Sequence, residues 1–168
     1  MTDCIRIAMW SGPRNLSTAM MRSFGSRADS FVTDEPFYGA YLRQTGDPQP
    51  LMEQVIASMD CDWRSVARTL TGPNPAATPI WYQKHMAHHM VGPIAHHDLP
   101  GLRHAFLIRD PARVVASYAA KRVMVHIARP AGDAAEIVRS VRHRMGPRHV
   151  AVATRNPRHR RHMGLALV

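Results

Sequence analysis

The sequence predicts an α/β fold built on a parallel sheet, and three observations carry that expectation. Short apolar runs of strand length alternate with segments of helical spacing. Turn formers and prolines fall between them. Two strand–turn–helix units stand out, IRIAMW–SGPRN–STAMMRSF (5–24) and LRHAFLI–RDP–ARVVASYAAKRV (102–123). With 168 residues, 45% of them hydrophobic, the chain can bury one domain core.

IRIAMW (5–10) is short and apolar enough for a buried strand, and SGPRN turns the chain into a helix over STAMMRSF. Ser17 or Thr18 is the expected N-cap of that helix. SFVT (30–33) predicts a second strand, closed by Asp34-Glu35-Pro36. EQVIASM (53–59) and WRSVARTL (63–70) have helical spacing and form one or two helices. TGPNPAATP (71–79), with three prolines in nine residues, is loop. A strand resumes at IWY (80–82), and residues 88–101 read as a helix fragment plus loop. LRHAFLI is the next strand, and the following helix begins just after Pro111, where proline is well tolerated. AEIVRSVRHRM (135–145) has the spacing of a helix, and HVAVAT (149–154) of a short strand. In parallel sheets ligands sit beyond the carboxyl ends of the strands, where SGPRN and RDP both fall.

The formal charge of +10 is unevenly placed. Residues 1–120 hold 11 Lys/Arg against 10 Asp/Glu, whereas 121–168 hold 11 against 2. The basic character therefore belongs to the tail, and no helix-turn-helix, finger or RNA-binding aromatic motif accompanies it. No run of about 18 apolar residues is present, and the start lacks a secretory pattern, so the expected location is cytoplasmic with no membrane partner. Cys4 and Cys61 are expected as reduced thiols, without metal-binding spacing.

Three constellations bear on chemistry. In SGPRNLST (11–18), successive backbone N–H groups leading into a helix N-terminus suit a phosphate or another anion. Arg14 adds a bidentate fork, and Ser17 and Thr18 add hydroxyls. A plain turn with a solvent-facing arginine explains the same residues. The loop lacks the Walker A lysine, which argues against an ordinary ATPase or GTPase. In FLIRDPARVVASY (106–118), Arg109 lies at a strand end and Ser117 eight residues later, so both can converge on one phosphate. A structural pairing of Arg109 with Asp110 is the competing explanation. In WYQKHMAHHM (81–90), His85 falls just past a strand end, where a general base is useful, with Lys84 beside it. His88 and His89 are further candidates. No carboxylate or thiolate completes a zinc set, so no metal is expected.

Taken together the three resemble the sulfotransferases that use 3′-phosphoadenosine 5′-phosphosulfate (PAPS). SGPRNLST is similar to their 5′-phosphosulfate loop, which takes forms such as P-K-S-G-T-T. FLIRDPARVVASY is similar to their 3′-phosphate motif, and WYQKHM to the segment carrying their base histidine. The W-S-G-P-R-N-[IL]-S-T opening and the segment DEPFYGAY (34–41) resemble divergent bacterial sulfotransferase-like proteins in particular. The resemblance spans roughly residues 5–123. It implies a P-loop-type three-layer sandwich and sulfuryl transfer from PAPS to a hydroxyl or amine of a small-molecule acceptor. Arg14, Asn15, Leu16, Ser17 and Thr18 would then hold the 5′-phosphosulfate, and Arg109 and Ser117 the 3′-phosphate. His85 would act as base, and Arg14 as a fixed charge rather than a proton donor, since its pKa lies above about 12. Glu35 is a candidate to orient a catalytic group or to line the acceptor pocket.

The resemblance implies a further segment after Val123 that covers the nucleotide. The expected organisation is a core over 1–123 and a basic, atypical segment over 124–168, with the fold incomplete at its C-terminus. A shortened or shifted reading frame and a genuine short variant are the two explanations. Three other functions compete: an inactive nucleotide-binding fragment, a P-loop kinase, and non-specific nucleic-acid binding through Arg155, Arg158, Arg160 and Arg161.

Overall fold

The computed structural model describes residues 4–122 and 150–154. In chain order these contain β1 (Ile5–Ser11), α1 (Ser17–Gly25), β2 (Ser30–Asp34), α2 (Tyr38–Thr45), α3 (Met52–Ser58), α4 (Trp63–Thr71), β3 (Ile80–Met86), β4 (Leu102–Arg109), α5 (Pro111–Arg122) and β5 (Val150–Thr154). The five strands form one sheet in the order β2-β3-β1-β4-β5, and every pairing is parallel. The α/β class and the parallel sheet expected from the alternating pattern are therefore present. Among the described residues no helix is long and apolar enough to cross a membrane.

Strand alternation divides the core into two layers of side chains. Ala8 and Trp10 of β1 face one side, where they pack with Trp81, Leu102 and the α4 residues Val66, Ala67 and Leu70. Ile7 and Met9 face the other, with Tyr82, Leu107 and the α1 residues Met20, Met21 and Phe24. Helices thus cover both faces, as a parallel sheet requires. Phe24 stacks on the Tyr82 ring at 4.3 Å, and burial pushes the Tyr82 hydroxyl far above its ordinary pKa.

Several elements differ from the sequence expectation. The strand expected over 80–82 runs on to Met86, because β3 lies between β1 and β2 and its polar residues find partners inside the sheet. Gln83 donates to the Leu70 carbonyl at 3.0 Å, and Lys84 meets two carboxylates. His85 is accordingly inside the strand rather than past its end. Helix α1 carries no side-chain cap; Leu16 occupies the N-cap position, and Ser17 is already the first helical residue. The turn at Arg14 delivers the chain to the helix one residue before the expected cap. α2 had no counterpart in the expected elements, although Gly46 closes it with a left-handed φ of 61° and an N–H to the Leu42 carbonyl. Gly39 allows α2 to sit against the following segment, since a Cβ there would lie 2.7 Å from the Met59 Cβ.

The region 53–70 resolves into two helices, and the Asp62 carboxylate caps α4 by accepting from the Ser65 N–H at 2.6 Å. Residues 87–101 hold two short 3₁₀ turns, and Ile94 and Leu99 from this stretch enter the core. Gly92 lies against the Trp63 ring, where a Cβ would come within 2.3 Å of the indole. α5 takes in Pro111 itself as its first residue, one position before the start expected just after it, and the strand expected over 149–154 is β5. The helix expected over 135–145 and the four tail arginines lie outside the described residues.

Candidate functional site

The SGPRN turn leaves the carboxyl end of β1, which is flanked by β3 and β4. Arg14 sits at its apex with φ 59°, a left-handed conformation that a non-glycine residue adopts only when its surroundings impose it. Two interactions fix it. The Arg109 guanidinium, at the carboxyl end of β4, donates to the Arg14 carbonyl. Asn15 donates through Nδ2 to the Leu107 carbonyl at 2.7 Å, while its Oδ1 accepts from the Leu16 N–H at 2.9 Å. The loop is therefore clamped to β4.

The Arg14 side chain reaches across to α5, where Nε donates to the Ser117 hydroxyl at 3.0 Å. Arg14 is thus brought to Arg109 and Ser117, which lie 95 and 103 positions further along the chain. Asp110 does not pair with Arg109. Its carboxylate accepts from the Ala112 and Arg113 N–H groups at 2.8 and 3.3 Å and caps α5. Among the described residues neither Arg14 nor Arg109 has an ion pair with a carboxylate. Ser17 is buried at the start of α1, and Leu16 is exposed. Two guanidinium groups without counter-ions beside an uncapped helix start form a positively charged rim suited to an anion.

His85 lies on the strand next to β1, directly across from Trp10. It is only 1% exposed, stacked on the Trp10 ring at 4.3 Å and flanked by Phe37 at 5.9 Å. Trp10 itself donates to His104 Nδ1 at 2.9 Å. Burial, with smaller contributions from His104 and Lys84, pulls the His85 pKa down to about 3. The imidazole is neutral at physiological pH, and its Nδ1 has no hydrogen-bond partner among the described residues. The structure thus places His85 within the core, against the rings of Trp10 and Phe37, with no hydrogen bond to Arg14, Arg109 or Ser117.

His88 and His89 follow in a 3₁₀ turn. His89 is buried against the rings of Tyr38 and Tyr41 at 4.9 and 4.7 Å, and burial lowers its pKa to about 3. His88 is only half-buried and meets Tyr41 edge-on. Burial lowers its pKa, while the charges of Glu35 and Asp47 act in the opposite direction. Among the described residues no group of three or more ligating side chains could hold a metal ion.

Sequence reasoning noted Lys84 without finding its role. Its ammonium is nearly inaccessible and is held by Asp34 at 2.7 Å and by Glu35. Burial lowers the Lys84 pKa, but the two carboxylates outweigh it, and the net shift is upward. Glu35 adopts φ 44°, held there by its own N–H to the Lys84 carbonyl at 2.9 Å. The signal was available: opposite charges at the carboxyl ends of two neighbouring parallel strands, D-E in one and K in the next.

A family model described as a sulfotransferase domain matches residues 5–155, and the chain belongs to that family. The match passes residue 123 and includes β5. The chain is also similar to two curated proteins of Arabidopsis thaliana. It is 32% identical to branched-chain-amino-acid aminotransferase-like protein 2 and 31% identical to branched-chain-amino-acid aminotransferase-like protein 1, over 112 residues in each case. Those alignments cover 67% of this chain and 20% of each relative, so the chain spans about a fifth of their length.

Proposed function

We propose that this member of the sulfotransferase-domain family binds PAPS and transfers its sulfuryl group to a hydroxyl or amine of a small-molecule acceptor. The observation that carries the proposal is the meeting of Arg14 with Arg109 and with Ser117 beside an uncapped helix start, with both guanidinium groups lacking carboxylate partners among the described residues. Such a cluster fits a donor with anions at two positions, and the fold reads as a P-loop-type three-layer sandwich whose donor machinery lies within residues 1–123.

In this reading the backbone N–H groups of Arg14, Asn15, Ser17 and Thr18, with the Leu16 N–H held by Asn15 Oδ1, join the hydroxyls of Ser17 and Thr18 in receiving the 5′-phosphosulfate. Arg109 and Ser117 receive the 3′-phosphate. When bound, PAPS supplies the sulfuryl group: the acceptor oxygen or nitrogen forms a bond to sulfur, the sulfur–oxygen bond to the 5′-phosphate breaks, and adenosine 3′,5′-bisphosphate leaves. The chain's part is to hold the donor anions, to offset charge on the departing oxygen and to accept the acceptor's proton. Arg14 contributes fixed charge only. His85, neutral and with an unpartnered Nδ1, is assigned the proton.

A second assignment of the base goes to His88, favoured by its greater exposure, because Trp10 and Phe37 enclose His85. The test incubates the chain with PAPS and a panel of phenols, alcohols and amines, and measures adenosine 3′,5′-bisphosphate release. Acceptor-dependent release is expected, abolished by Arg109→Ala. Comparing His85→Asn with His88→Asn decides the base. No release with any acceptor, from a chain that binds the nucleotide, would leave a binding protein rather than an enzyme.

A further inference from the structure

We infer that Gln83 is a positioning residue for the reaction: its side-chain carbonyl holds His85 by Nε2–H and leaves Nδ1 as the nitrogen that takes the acceptor's proton. This rests on the PAPS reading above, with His85 as the base. The contacts begin at Leu70, whose carbonyl lies in the last turn of α4 and has no intrahelical N–H to accept. Gln83, fully buried in β3, donates to it through Nε2 at 3.0 Å. A carbonyl only accepts, so the Gln83 amide must face Leu70 with its NH2 group. Its Oε1 is thereby turned to the His85 ring, 3.4 Å from Nε2.

A neutral imidazole carries one N–H and one lone pair. With Oε1 beside Nε2, the proton belongs on Nε2. The other tautomer would set two lone pairs against each other and strand a buried Nδ1–H without an acceptor. The stack on Trp10 fixes the plane of the ring but not which nitrogen meets Gln83. Trp10 thus sets the plane and Gln83 the edge. On transfer the acceptor's O–H or N–H bond breaks as its oxygen or nitrogen bonds to sulfur. The proton forms a bond to Nδ1, and Nε2–H stays on Gln83. The ring then carries a positive charge, which turns the contact with Oε1 into a charge-assisted hydrogen bond. At 3.4 Å that contact is long for the neutral ring and can shorten as the charge develops. Lys84 and His104 oppose the charge, and His89 lies near enough to feel it. Gln83 acts against all three.

The test is the tautomer of His85, read by nitrogen NMR of the histidine-labelled chain, with His85→Asn identifying its signals. Wild type is expected to show Nε2 protonated and Nδ1 bare, in an excess of about 10-fold or more over the other tautomer. Gln83→Met keeps the length and removes the acceptor. It should cut that excess several-fold and lower kcat for bisphosphate release by about 10-fold, at an unchanged KM for PAPS. Gln83→Glu gives Nε2–H a carboxylate in place of the amide oxygen, so it should keep the tautomer and raise the His85 pKa. A residue that only fills space would produce neither change. Should Gln83→Met not fold, the wild-type tautomer and Gln83→Glu decide. A wild-type His85 with its proton on Nδ1 would overturn the inference, as would an excess or a kcat that Gln83→Met leaves unchanged. A wild type with the expected tautomer that releases no bisphosphate with any acceptor would instead remove the PAPS reading, and the base role with it.

Discussion

Lys84 is the test of how the end of the sheet is held together. Its side chain is 4% exposed, whereas those of Asp34 and Glu35 are 54% and 28% exposed. Replacing both acids by their amides, Asp34→Asn with Glu35→Gln, keeps the shape and leaves a buried ammonium without a counter-charge. Stranding a buried charge costs about 3–5 kcal/mol. Here water reaches Asp34, and the new amide oxygens still accept hydrogen bonds, so about 2–3 kcal/mol is the expected loss at neutral pH. The pH dependence gives the sharper signature. In the wild type the Lys84 pKa is raised, so its contribution is complete below the unfolded value of about 10.4 and is lost only as pH climbs through the higher folded value. In the double variant burial acts alone and depresses it. The folded state then sheds the proton before the unfolded state does, and stability should rise as pH moves from neutral to mildly alkaline. Urea unfolding, followed by the fluorescence of the buried Trp10 and Trp81, measures both effects. A loss under about 1 kcal/mol with the wild-type pH profile would refute the reasoning.

Three further outcomes follow from the same contacts. His85 should stay neutral as pH falls through the ordinary imidazole range, since its folded pKa is about 3, and stability should therefore fall between about pH 6.5 and 3 as the unfolded chain takes up a proton that the folded chain refuses; an imidazole titration by NMR centred near the ordinary value would contradict the Trp10–Phe37 enclosure. Gly92→Ala should cost about 1–3 kcal/mol in a urea melt, because the added Cβ meets the Trp63 indole at 2.3 Å; an unchanged melt would mean the loop shifts freely. Asp110→Ala should cost about 1 kcal/mol through loss of the α5 cap. Its bisphosphate affinity should be no weaker than wild type, and a clear weakening would show Asp110 acting on Arg109 after all.

Much of the fold was legible because its strands are apolar and its turns carry proline or glycine. IRIAMW and LRHAFLI fill both faces of a covered sheet, so their burial shows directly as hydrophobicity. β3 was cut short for the opposite reason. Gln83, Lys84 and His85 are polar, yet each is buried in the centre of the sheet by partners that come from α4, β2 and β1. No local pattern reveals such long-range compensation. α2 was missed because Gly39 and two tyrosines weaken its helical signal, while its packing against Met59 supplies what propensity does not. At the site, sequence spacing offered Arg109 and Ser117 as residues able to converge on one phosphate, but the meeting of Arg14 with Ser117 depends on how α5 lies against the loop. The choice between Asp110 as ion-pair partner and Asp110 as helix cap was equally undecidable from the letters RDP.

The most direct measurement is calorimetric titration of the 168-residue chain with adenosine 3′,5′-bisphosphate, with ATP as control and Arg109→Ala alongside. The account predicts micromolar binding that prefers the bisphosphate over ATP and collapses in the variant. A folded chain that binds ATP better, or that binds the bisphosphate equally well without Arg109, would contradict it.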